Sequence, residues 1–145
     1  MASLKEIWKQ LINDLNDDSA ITDVIGTDNI HRSNPSQALN YPTLILDVTN
    51  VVVAELSGIG LYRPTPTFNV YATDPDQADD IFRALEAGWD IPHKRPQGVS
   101  TSNYAITQMR FLQLIEVGKA RVVATSEVVT HFAIPTQMRI ISLRD

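Results

Sequence analysis

The apolar patterning predicts an α+β fold, an antiparallel sheet of two β-hairpins with two amphipathic helices packed on one face. Leu4, Ile7, Trp8, Leu11, Ile12 and Leu15 fall on one helical stripe, and Ala78, Ile81, Phe82 and Leu85 on a second. Runs rich in Val, Ile, Phe and Thr lie between and after them, with the two-residue alternation of half-buried strands. Stacking helices on a sheet is the simplest way to bury both kinds of apolar surface.

The first helix covers 4–15, with Ser3 as N-cap and Glu6 closing a capping box. Lys5, Lys9, Asn13 and Asp14 make its polar side. Asp17 or Asp18 caps a short second helical turn that carries Ile21, Val24 and Ile25 and stops at Gly26. Asn29 to Tyr41 reads as polar and irregular, with a turn at Asn34-Pro35, and Tyr41-Pro42 sets an extended approach to the first strand.

Thr43 to Ala54 is a strand whose alternation lapses at Val51-Val52-Val53, where a bulge or two-sided burial is expected. Ser57 to Gly60 turns the chain back along Leu61 to Thr73, forming a long hairpin. Pro64 and Pro66 predict that the start of this return is an edge or a loose arm, because proline donates nothing to a ladder. Asp74-Pro75-Asp76-Gln77 is the clearest local signal: a capping aspartate, proline at the first helical position and a glutamine able to close the box. Gly88 is expected to end that helix, and 89–103 to be a long Pro/Gly/Ser-rich loop. Tyr104 to Val117 and Arg121 to Ile134 read as a second hairpin joined at Gly118-Lys119. Pro135 ends its last strand, leaving 135–145 as a tail of unassigned structure.

A chain of 145 residues suits a single domain spanning 1–145, and no internal linker divides it. Hydrophobic content of 43% and charged content of 20% exclude general disorder. The apolar runs are far shorter than the roughly 20 residues that cross a bilayer, so no membrane partner is expected, and no secretory signal is read at Met1 to Glu6. The lack of cysteine removes disulfides, thiolate metal sites and cysteine nucleophiles. Net charge is −5 but unevenly spread: residues 1–90 hold 14 acids against 5 bases, and 91–145 hold 3 against 7. This balance argues against gripping duplex DNA. It leaves open whether the acidic surface of one copy meets the basic surface of the next or both simply face solvent.

Catalytic signatures are missing. His31, His93 and His131 lie far apart and share no metal-ligand spacing. Gly58-x-Gly60 has Arg63 where a dinucleotide fingerprint needs glycine, and no helix follows. Asp74, Asp76, Asp79 and Asp80 crowd the first turns of a helix, where the dipole favours negative charge. Lys94 and Arg95, near Trp89 and Pro92, suit a solvated or partner-facing loop. The hairpin tip is unusual, because Leu56, Ile59, Leu61 and Tyr62 put apolar groups where a monomer carries polar ones. Such a tip either folds back on its own core or reaches a neighbouring subunit. With Arg63, Lys94 and Arg95 these residues form the candidate subunit or partner interface; catalytic, cofactor and metal residues are assigned to none.

Several motifs occur in a telling order: Leu4-x-x-Ile-Trp-x-x-Leu-Ile, then Ser19-Ala-Ile-Thr-Asp-Val-Ile-Gly, Asn29-Ile-His-Arg, and Tyr41-Pro-Thr-Leu-Ile-Leu. Phe68-Asn-Val-Tyr-Ala-Thr then runs into the Asp74-capped helix. The layout resembles the tail terminator or tail-completion proteins of long-tailed phages, including the minor tail protein U group, over residues 1 to 88. The 89–103 loop and the segment after Pro135 depart from that pattern. The resemblance implies a structural virion protein without enzymatic activity or cofactor. Its copies would form a ring, typically a hexamer, that caps the tail tube and stops its growth at the tail–neck junction. The implied partners are other copies, the tail tube protein and the head–tail connector or neck protein, with DNA passing through the lumen without specific binding. Such a chain is made in the host cytoplasm. Two other readings remain, a head-completion or neck adaptor, and a small cellular enzyme or ligand-binding domain whose site assembles only on folding.

Overall fold

A computed structural model describes residues 4–32, 41–47, 51–56, 59–90, 104–121 and 128–143. Helix α1 (Leu4–Asp17) buries Ile7, Trp8, Leu11 and Leu15, so the first stripe is realised. Asp14 departs from its expected polar face: it is buried, and its Oδ2 has no partner among the described residues. Ser3 lies outside them. Helix α2 (Ser19–Ile25) is capped by Asp18, whose Oδ1 accepts from the Ala20 N–H at 3.0 Å. It stops where predicted, because Gly26 takes φ +100°, and an added Cβ would meet the Asn29 amide at 2.9 Å.

Strand β1 (Ile30–His31) runs parallel to β2 (Thr43–Asp47), a pairing that the polar character of 29–41 hid. The first predicted hairpin is present in two stretches. Strand β2 pairs with β5 (Thr67–Ala72), and β3 (Val51–Leu56) pairs with β4 (Ile59–Pro64). The register moves by one residue between Asp47↔Thr67 and Val51↔Pro64, close to the expected bulge.

The expectation of an edge at Pro64 and Pro66 is overturned, since β4 lies between β3 and the last strand, β8 (Val128–Leu143). Both prolines fall at the junction of β4 and β5, where Pro66 contributes its carbonyl to the Thr136 N–H at 3.0 Å. Helix α3 (Pro75–Trp89) has the predicted cap, Asp74 Oδ1 accepting from the Gln77 N–H at 2.8 Å, while Gln77 Oε1 reaches back to the Thr73 N–H at 3.1 Å. Gly88 does not end it. The helix continues to Trp89, which is fully buried and donates its indole N–H to Asp18 Oδ2 at 2.8 Å, joining the end of α3 to the start of α2.

The second hairpin is larger than predicted, and its reversal is elsewhere. Gly118 and Lys119 sit within β7 (Ile115–Arg121), which follows β6 (Tyr104–Phe111), and the link to β8 is 122–127, outside the described residues. Strand β8 does not stop at Pro135 but runs for 16 residues as the spine of an eight-stranded sheet. Thr136 gives its N–H to Pro66, so residue 135 occupies a non-hydrogen-bonded position toward β5, and its nitrogen faces the other flank. That flank is interrupted between Phe111 and Ile115, where Pro135 needs only to accept from the Leu112 N–H at 2.9 Å.

Alternation along β8 separates two faces. Phe132, Ile134, Met138 and Ile140 join Phe68, Val70, Leu85 and Trp89 in one core beneath the helices. His131, Ala133, Pro135, Gln137 and Arg139 point to the opposite face, which no described helix covers. The fold is α+β as predicted, with the two amphipathic helices and the short α2 present, and a spine-centred sheet in place of two simple hairpins.

Candidate functional site

The uncovered face carries an ordered polar array because three strands are aligned across β8. Gln108 of β6 is paired with Arg139, and Arg110 with Gln137. On the other flank the register that ends at Tyr62↔Ile140 brings Arg63 to the level of Arg139 one step later. Arg63, Arg110, Gln137 and Arg139 are exposed, and Gln108 is half-buried. Arg63, Thr65, Gln108, Gln137 and Arg139 line a shared shallow depression. Like charges on neighbouring strands repel, and none of the three arginines has an ion-pair partner among the described residues. The array is rich in donors and lacks a counter-charge among the described residues.

A second depression lies toward the other end of this face. Tyr71 and His131 are cross-strand neighbours whose rings stack at 4.6 Å, tilted by 11°, and His131 Nε2 meets Asn69 Oδ1 at 2.8 Å. Arg32, Ile45, Leu46 and Asp47 complete the lining. Burial holds the His131 imidazolium below its ordinary pKa and pushes the Tyr71 hydroxyl up, with nearby Tyr41 acting in the same direction on Tyr71. His131 is thus an oriented strand-face residue held by an amide oxygen.

The helical layer has opposite character. Packing of α2 against α3 brings Asp23 beside Asp74, Asp76 and Asp80 in one concavity, whose remaining lining is Val24 and Gln77. Asp74 is occupied as the cap of α3. Asp79 is paired with Arg83 along the helix at 2.7 Å, leaving Asp76 and Asp80 exposed at the concavity. Asp23 is the member sequence spacing could not supply, since it comes from another helix. Among the described residues no group of three or more His, Asp or Glu is placed to hold a metal ion, and no helix is long and apolar enough to cross a membrane.

Three of the predicted interface residues have described side chains. Tyr62 packs into the core and Leu61 is half-buried, whereas Arg63 is on the uncovered face. Leu56 and Ile59 are paired at the end of the β3–β4 hairpin, with their side chains outside the described ones, and Lys94 and Arg95 fall outside the described residues altogether. A different apolar cluster emerges. The large hydrophobic residues exposed among the described ones are Leu112 (50%), Ile115 (38%), Val117 (56%) and Val128 (47%), all on or beside β7. Strand β7 pairs only with β8, so this apolar strip borders a free strand edge among the described elements. Its signal in the sequence was the run Leu112 to Val117, which reads equally well as a buried strand.

No family model matches the chain, and no curated protein matches it in sequence. Among solved structures, the fold is similar to a chain of the "Virion of native gene transfer agent (GTA) particle" with a TM-score of 0.60. That match has 14% identity and covers 92% of this chain and 93% of the other, so the likeness is one of fold over nearly the full length of both.

Proposed function

We propose that this chain is a structural virion protein, a tail terminator whose copies close into a ring, hexameric by the resemblance of its motifs, that caps the tail tube and joins it to the neck. One observation carries the reading: nearly the whole chain is accounted for by the fold of a chain from a virion, with 92% and 93% of the two chains matched. The surfaces agree with a protein designed for protein contact. A donor-rich face, an acidic concavity and an exposed apolar edge lie on separate parts of one small chain.

The mechanism is geometric. One side of the ring complements the last layer of the tube, and the other offers no seat for a further tube subunit. The partners are other copies of the chain, the tail tube protein and a connector or neck protein. The expected location is the tail–neck junction of the particle. Electron microscopy of the purified protein incubated with tail tubes tests the reading directly. A ring at one tube end, with tube growth halted, is the expected image; tubes that lengthen unchanged and bare ends would overturn it. A ring bound to portal-bearing heads instead would move the protein to the neck.

A further inference from the structure

We infer that the arginine-bearing sheet face of one copy, centred on Arg63, Arg110 and Arg139, seats against the acidic α2–α3 concavity of a second copy, centred on Asp23, Asp76 and Asp80. The inference rests on the self-assembly proposed above and assigns it a contact. Each half is incomplete alone. Across β4, β8 and β6 the exposed arginines carry like charge and have no ion-pair partner among the described residues, while the concavity gathers carboxylates with no basic residue in its lining, Arg83 acting on Asp80 only from outside it.

The two surfaces also occupy opposite layers, one on the uncovered sheet face and one on the helices. A pair of unlike surfaces on one chain makes a head-to-tail contact, the kind that forms a ring when the rotation between successive copies closes. Gln108 and Gln137 fit this occupant because their amides donate and accept between the arginines, giving a protein partner hydrogen bonds that fix its register. Nucleic acid is the weaker fit. A chain of net charge −5 repels a polyanion beyond the patch, whereas another copy presents carboxylates confined to one concavity.

The test is a charge swap read by native mass measurement and sedimentation at low and high salt. Arg110→Glu with Arg139→Glu is made in one protein, and Asp76→Lys with Asp80→Lys in another. Each alone is expected to lose association by on the order of tenfold or more. Mixing the two restores it, because each reversed surface then meets its reversed partner, and the mixed assemblies alternate the two proteins. The positions are exposed, so circular dichroism should show both variants folded. If the lysine variant fails that control, Asp76→Asn with Asp80→Asn takes its place, expected to weaken association without the rescue.

Single variants that assemble like the parent, or folded swap variants that fail to associate on mixing, would overturn the contact. So would a parent protein that stays monomeric at every salt and with tail tubes added. Duplex DNA binding lost in the arginine variant, with self-association unchanged, would reassign the face to nucleic acid. A ring that survives the reversals sinks this contact and leaves the ring standing. A charge-dependent assembly that never binds tubes keeps this contact and sinks the tail reading.

Discussion

The two faces of the sheet are built from the same strands yet follow different rules. On the covered face β5 and β8 contribute Phe68, Val70, Phe132 and Ile134 to a continuous core closed by α3. On the other face the alternate positions hold Asn69, Tyr71, His131, Gln137 and Arg139, without a cover from any described helix. One face therefore carries the folding free energy, while the other can vary in charge at little cost to stability. The flanks of β8 differ in a parallel way. From Ile59↔Leu143 to Ala72↔Thr130 the flank made by β4 and β5 keeps one register. The flank made by β6 and β7 slips within each strand, at Ile106/Gln108 and at Glu116/Gly118, and once more between them, and it ends in the exposed apolar strip.

The sharpest way to break this contrast is to cut into the covered face. Phe68→Ala removes a fully buried ring that packs 5.6 Å from Phe111, and is expected to cost about 3–5 kcal/mol in urea unfolding. Trp89→Phe keeps most of the apolar volume but strands Asp18 Oδ2 in the interior, with an expected loss of about 1–3 kcal/mol by the same measurement.

Asp14→Asn should act in the opposite direction. Burial, then Asp17, raises the Asp14 pKa against the lowering effect of the Gln10 hydrogen bond. The folded state therefore holds its proton more tightly. The stabilisation is complete below the ordinary value of 3.8 and is lost as pH rises through the folded value, above which the carboxylate is ionised and under-bonded. The asparagine variant should melt higher at pH near 7, with a gain of about 1 kcal/mol, and show no gain in acid.

On the uncovered face, Arg139→Gln should change stability by no more than about 0.5 kcal/mol, and a larger loss would show that this face carries core function after all. The smallest effect belongs to His131. Its folded pKa lies below the ordinary 6.5, so its contribution is present above that value and is lost as pH falls through the folded one. His131→Gln should flatten the mildly acidic limb of a stability–pH curve, and an unchanged limb would rule the residue out.

Elements set by local chemistry were legible from the sequence: the α1 stripe, the Gly26 stop and the Asp74-Pro75 start of α3 each follow from a few neighbouring residues. What escaped depends on distant partners. Trp89 prolongs α3 past Gly88 because Asp18, 71 residues earlier, receives its indole N–H. Pro135 passes through a central strand because the neighbouring flank is broken opposite it. The turn assigned to Gly118-Lys119 fell on a bulge, where glycine serves a strand as readily as a hairpin. Of the candidate site, Arg63 was identified from sequence, but Arg110, Arg139 and Asp23 were not, since only register and helix packing bring them to their companions.

Strand β8 is paired with β4, β5, β6 and β7, and every other described element precedes it in the chain. During synthesis β8 thus emerges after the strands it joins, and these wait for it with their long-range pairings unmade. Arg139 stands on that same strand, so the arginine face proposed for self-recognition is completed only when β8 joins β4 and β6. A chain that has not yet added β8 lacks this face, so the proposed contact has to wait for the strand that completes the sheet.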